Sequence, residues 1–94
     1  MIAYRHPQLE QYRAADDSCI VTDDYLKSLE ESFGKAALLA KKAGFDAVDI
    51  KSCHGYLLAE LLSAYDRPGQ YGGNYENRTR LLKNGIKAAK VWED

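Results

Sequence analysis

Cysteine is scarce in this chain: Cys19 and Cys53 stand far apart and form no Cys-x-x-Cys pair. That argues against a disulfide framework and against a structural zinc site. Charge of one sign is also lacking. The 13 Lys and Arg are balanced by 14 Asp and Glu, for a formal net charge of -1. Such a balance gives neither nucleic acid nor an anionic membrane surface a reason to bind. No apolar run approaches the length of a membrane span. Residues 1–10 carry charges and Pro7 where a signal peptide needs an apolar stretch, so a cytoplasmic location is expected. There is no internal repeat and no low-complexity segment. What remains is ordinary for a globular chain: 94 residues, 46% hydrophobic and 29% charged. That is one small domain at most, with a modest core.

Periodicity places the elements. Ile2 to Tyr4 reads as a strand end closed by Pro7. Asp16-Asp17-Ser18 reads as loop. Thr22 or Asp23 is a suitable helix N-cap, and acidic residues follow it. Leu26, Leu29, Phe33, Ala36, Ala37 and Ala40 then recur at helical spacing, which predicts a helix over 24–43. Gly44 sits where a helix C-terminal glycine belongs. Phe45-Asp46-Ala47-Val48-Asp49-Ile50 follows directly, with the form of a connection entering a buried strand. Residues 51–55 become the loop at its C-terminal end, and 56–65 a short helix whose apolar side is Leu57, Leu58, Leu61 and Leu62. Residues 66–75, rich in Gly and Asn and holding Pro68, are a loop. Residues 76–92 form a second long helix, with Leu81, Leu82, Ile86, Ala89 and Trp92 along one stripe and Asn74 or Tyr75 near its start.

Strands alternating with helices of this length imply βαβ units, a parallel sheet and an α/β class. Two parallel strands do not make a sheet that stands alone, because both faces and both edges need cover. A complete (β/α)8 barrel takes about 250 residues, so the chain carries about two of its eight units. The expectation is a fragment of a TIM barrel, or a chain that associates to complete itself, as a homo-oligomer through exposed strand edges.

The stretch Ala43-Gly44-Phe45-Asp46-Ala47-Val48-Asp49-Ile50 runs into His54-Gly55-Tyr56-Leu57-Leu58, and Tyr71-Gly72-Gly73-Asn74-Tyr75-Glu76-Asn77-Arg78 follows after a gap. Two motifs in this order and spacing resemble the old yellow enzyme family of NAD(P)H:flavin oxidoreductases, over roughly residues 23–92. The resemblance implies a partial (β/α)8 barrel running from its third strand to its fourth helix, with residues 1–94 a fragment of an FMN-binding oxidoreductase domain. It implies FMN in the full-length parent and NADH or NADPH as reductant. It also implies a small-molecule substrate: an activated alkene, or a related compound, that takes a hydride from the reduced flavin.

Catalytic residues carry over position by position. In the family, two side chains after the fourth strand, spaced His-x-x-His or His-x-x-Asn, hydrogen-bond the substrate oxygen. A tyrosine two residues later donates a proton. The second donor is His54, the tyrosine is Tyr56, and the first donor position holds Lys51. Donors aimed at an oxygen that gains negative charge lower the barrier, and a phenol serves as an acid when held beside the developing carbanion. Lysine departs from the family histidine. It too donates hydrogen bonds, and its charge suits an anionic or strongly polarised substrate, or a role in holding the flavin. The loop from Ser63 to Arg67 is shorter than the family pattern by about two residues, with Arg67 still in its arginine slot. Near the N-terminus His6 fits a family histidine, and the flavin-contacting glutamine slot falls on Ala3.

Plainer readings stand beside these. Alone, His54 is a solvated loop histidine, Tyr56 a packing aromatic and Lys51 a strand-end lysine in water. Cys53 next to His54 makes no nucleophile pair, since adjacent residues on an extended segment point apart. Tyr71-Gly72-Gly73 lacks the lysine and spacing of a phosphate loop and reads as a tight turn before a helix. Glu76, Asn77 and Arg78 read as structural, capping the helix and tying the loop down. Barrel phosphate sites follow the seventh and eighth strands, so the isolated chain is expected to bind FMN weakly or not at all and to be inactive. The alternative function is a non-catalytic remnant or oligomerising barrel fragment that holds no flavin.

Overall fold

The computed structural model describes residues 2–5, 7 and 19–91. Four helices follow one another: α1 (Asp23–Lys42), α2 (Leu57–Leu62), α3 (Tyr75–Arg78) and α4 (Arg80–Lys90). Helix α1 starts where its cap chemistry dictates. The Thr22 hydroxyl accepts from the Tyr25 N–H at 3.1 Å, with Asp23 and Asp24 in the first turn against the helix dipole. It ends at Gly44, whose φ of +94° reverses the chain. The Phe45 N–H closes the turn on the Ala40 carbonyl at 3.0 Å.

Helices α1 and α4 lie against each other through small residues. A Cβ on Gly85 would sit 2.9 Å from the Phe33 ring, and one on Gly34 would sit 3.4 Å from the Ala88 Cβ. The ring of Phe33 therefore packs closely against the backbone of α4 at Gly85. The core gathers Leu26 from α1, Leu58 and Leu61 from α2 and Leu81 from α4, with Ala3, Tyr4, Ala64 and Tyr71 from the connections.

The N-terminal segment pairs with the residues preceding α1. Ile2 and Ile20 form an isolated parallel bridge. The Ile2 N–H donates to the Cys19 carbonyl at 2.9 Å and the Val21 N–H to the Ile2 carbonyl at 2.8 Å. This bears out extended backbone at Ile2, although the bridge does not lengthen into a ladder.

Two expectations need correction. Residues 45–50 form no strand: their backbone is irregular, and Phe45 and Val48 are 70% and 48% exposed. A buried parallel strand requires a neighbour on each side and cover on each face, and among the described residues this run has neither. The α/β class expected from it is therefore not displayed, and the described residues are mostly helical. The second correction is smaller. The long helix expected over 76–92 is broken at Thr79 into α3 and α4. The Thr79 hydroxyl donates to the Tyr75 carbonyl at 2.9 Å and to that of Glu76 at 3.3 Å, the back-bonding that bends helices. His6, Asp16 to Ser18 and Trp92 lie outside the described residues.

Candidate active site

Lys51, His54 and Tyr56 lie on the segment that leads from the irregular run at 45–50 into α2, and all three are exposed. Two consecutive residues reverse the chain there. His54 has φ +64° and Gly55 φ +70°. The left-handed region is open to glycine but costs a histidine roughly 1–2 kcal/mol, so the surroundings must hold His54 in it. The holding comes from α2. Tyr56 is its N-cap residue, and the Tyr56 carbonyl accepts from the Glu60 N–H at 2.9 Å. Leu58 and Leu61 then anchor the short helix in the core.

The turn brings two of the three side chains together. The Lys51 ammonium sits 4.8 Å from the centroid of the Tyr56 ring, within the range of a cation–π contact. Tyr56 is 68% exposed, so the pair lies open to solvent. His54 forms no hydrogen bond with either residue among the described residues. The site thus offers one ammonium, one imidazole and one phenol on a six-residue arc, with α2 fixing its far end.

The arc is tied to the N-terminal segment through charged groups buried beneath it. Glu60, 2% exposed, accepts from the Ala3 N–H at 2.9 Å. The Ala3 carbonyl in turn accepts from Arg67 Nε at 2.7 Å. Ala3, the position that the resemblance gives to a flavin-contacting glutamine, is fully buried, and both its backbone polar groups are engaged.

Arg67 does more than fill its slot. Its Nη1 meets Asp23 Oδ1 at 2.7 Å and its Nη2 donates to the Val21 carbonyl at 3.1 Å. The other Asp23 oxygen accepts from the Gln70 N–H at 2.8 Å. Partial burial pushes the Asp23 carboxyl up, but the Gln70 N–H and the Arg67 guanidinium outweigh it and hold its pKa below the ordinary value. Tyr71 donates to Glu30 Oε2 at 2.8 Å, and Asn84 donates to the same oxygen at 2.9 Å. Burial first, and the bond to Glu30 second, raise the Tyr71 phenol pKa.

The glycine-rich motif is structural. Asn74 caps α3, accepting from the Asn77 N–H at 2.8 Å. The Asn77 amide donates to the Gly72 carbonyl at 3.0 Å. Arg78 donates to the carbonyls of Gly73 at 3.0 Å and Leu62 at 2.7 Å, and its guanidinium stacks 4.0 Å from the Tyr65 centroid. These bonds bear out the tying role of Asn77 and Arg78. Glu60 and the Arg67–Asp23 pair were missed as fixtures of the site. Glu60 was detectable as the lone charge inside the apolar run of α2. Among the described residues no group of His, Cys, Asp and Glu is placed to hold a metal, and no helix is long and apolar enough to cross a membrane.

Comparison with known proteins defines the class. The profile of the NADH:flavin oxidoreductase / NADH oxidase family matches residues 7–91. The chain belongs to that family. An NADPH dehydrogenase of Bacillus velezensis is 42% identical over 76 residues, 78% of this chain and 22% of the relative. One from Clostridium acetobutylicum is 44% identical over 75 residues, 77% of this chain and 22% of the relative. One from Listeria monocytogenes is 39% identical over 82 residues, 84% of this chain and 24% of the relative. The chain therefore spans between a fifth and a quarter of the length of these curated relatives.

Proposed function

We propose that this chain is the substrate-facing segment of an FMN-dependent NAD(P)H oxidoreductase built on a (β/α)8 barrel, and that the parent protein reduces activated alkenes. The observation that carries the reading is the arc of Lys51, His54 and Tyr56, exposed together at the entry to α2 within a chain of this family. In the barrel, residues 45–50 become the fourth strand once neighbouring strands supply its hydrogen bonds, and the arc lies at that strand's C-terminal end, where barrel active sites form.

The donor set fits a flavin and its substrate. Lys51 and His54 offer N–H donors suited to the electron-rich edge of a ring or to a carbonyl oxygen. FMN, when bound, supplies the two electrons brought by NADH or NADPH. The protein's own residues do the rest. His54 and Lys51 hydrogen-bond the substrate's electron-withdrawing oxygen and stabilise the charge it gains. The Tyr56 phenol gives its proton to the carbon next to that group and recovers it from water. Glu60, Ala3 and Arg67 keep α2 fixed so that these three side chains hold their places.

The test is turnover of an enone by the flavin-loaded protein that contains this segment, with His54→Ala and Tyr56→Phe beside it. Loss of about a hundredfold or more in kcat for each is expected from the loss of an oxyanion donor or of a positioned acid. Full activity in both variants would remove the arc from the active site.

A further inference from the structure

We infer that Lys51 makes this site selective for an alkene whose activating group is an anionic carboxylate, an inference that rests on the active-site reading above. Lys51 pairs with no carboxylate among the described residues; its ammonium instead lies 4.8 Å from the Tyr56 ring centroid. A cation over an aromatic face keeps its charge and its three N–H donors while its side chain is held in one place. The neighbouring Tyr56 is 68% exposed, so that charge is open to a ligand seated at the phenol. With the phenol placed to protonate the substrate's α-carbon, the ammonium beside it falls within reach of the group attached to that carbon. A carboxylate there meets a formal positive charge, and a neutral ester or amide does not.

The chemistry explains why the charge matters most for this substrate. As the β-carbon gains a hydride, the C=C π bond breaks and its electron pair moves toward the carboxylate, which then carries close to two negative charges. A neutral donor is a weak answer to that charge, whereas an ammonium meets it directly. The α-carbon then takes the Tyr56 proton, and the product is the saturated carboxylate. The two electrons come from NADH or NADPH through the flavin, and water restores the phenol.

The experiment compares crotonate with methyl crotonate in the flavin-loaded protein that contains this segment, as wild type, Lys51→Gln and Lys51→Arg. The ratio of kcat/KM for acid over ester is expected to fall about tenfold or more in Lys51→Gln and to stay within about threefold of wild type in Lys51→Arg. A ratio unchanged in Lys51→Gln overturns the inference while leaving the oxidoreductase reading intact. Absence of turnover with both alkenes and with an enone defeats the oxidoreductase reading instead. Butyrate and butyramide binding by equilibrium dialysis then decides the role of Lys51: weaker butyrate binding in Lys51→Gln, with butyramide unmoved, supports it, and equal butyrate binding overturns it.

Discussion

Arg67 Nε donates to the Ala3 carbonyl at 2.7 Å, across 64 positions of sequence. The same guanidinium reaches Asp23 and the Val21 carbonyl, so one side chain joins the N-terminal segment, the entry to α1 and the loop before α3. The fork of Arg matches this arrangement and a single ammonium does not. Arg67 is 8% exposed, and its removal leaves the Ala3 carbonyl without that donor. Arg67→Lys is expected to destabilise the protein by about 2–4 kcal/mol, read as a lower midpoint in urea unfolding. An unchanged midpoint would show that its acceptors are satisfied without the guanidinium.

The backbone around Arg67 is packed as tightly as its side chain. A Cβ on Gly72 would lie 2.3 Å from the Arg67 carbonyl oxygen and 2.5 Å from its Cβ. Neither atom is the end of a flexible side chain, so the loop itself must move. Gly73 differs: its φ is +96° but nothing lies within 4 Å of a Cβ there. Gly73→Ala is therefore expected to cost only the backbone strain, about 1–2 kcal/mol. Gly72→Ala should cost more and should disturb Arg67, visible as weaker amide exchange protection in residues 67–73. Equal melting temperatures for the two variants would contradict this order.

The glycine-rich loop also shows what could be read in advance. Thr22 as cap, Gly44 as terminator and the apolar stripe of α1 are local signals, and each is where periodicity put it. The proposed arc from Lys51 to Tyr56 rests on a motif in the sequence. Residues 45–50 read as a strand but pair with no neighbour among the described residues, since a strand is a relation between segments and β-branched residues alone do not create the partner. The Thr79 break escaped because threonine fits a helix by period and departs from it only through its hydroxyl. The partners of Arg67 were hidden for a similar reason: a loop arginine between Asp66 and Pro68 looks solvated until the segments it joins are folded against it.

The Asp23–Arg67 pair has a pH signature. The Asp23 pKa in the folded protein lies below its ordinary value of 3.8. A carboxyl with a depressed folded pKa stabilises the native state fully above its unfolded pKa and loses that contribution as pH falls through the folded one. The stabilisation is therefore complete at neutral pH and declines on acidification from about pH 4 downward. Asp23→Asn removes it at every pH. The difference in unfolding midpoint between wild type and Asp23→Asn should shrink as pH is lowered through that window, and a constant difference from neutral pH to pH 2 would show that the carboxylate's charge contributes nothing.

The 94-residue chain by itself is expected to behave differently from the parent. An open groove of about 1100 Å³ runs beside residues 45–50, lined in part by Ala37, Phe45, Val48, Ile50 and Ile86. In the proposed barrel the remaining strands and helices cover this face. Without them Phe45 and Val48 stay exposed on a groove that also carries charged residues, and such uncovered apolar side chains favour association. Sedimentation should show concentration-dependent self-association, and titration with FMN should show no saturable binding in the micromolar range. A monomer that binds one FMN tightly would place the flavin's main contacts within this chain and refute the division of labour proposed above.

His54 gives the sharpest contrast between stability and function. Its φ of +64° is cheap for glycine and tolerated by asparagine but not by alanine, so an alanine here keeps the strain and loses the imidazole. Glycine removes both, at the expense of a more flexible unfolded chain. His54→Gly should therefore be more stable than His54→Ala by about 1 kcal/mol, while both lose the donor proposed to stabilise the substrate oxygen and are expected to fall together in kcat. His54→Asn tolerates the left-handed backbone and restores an N–H donor, so part of the activity should return at little change in melting temperature. This pattern, activity following the donor and stability following the backbone, separates a catalytic histidine from a solvated loop residue. A solvated residue would show the same glycine effect on stability with no loss of turnover in any of the three variants.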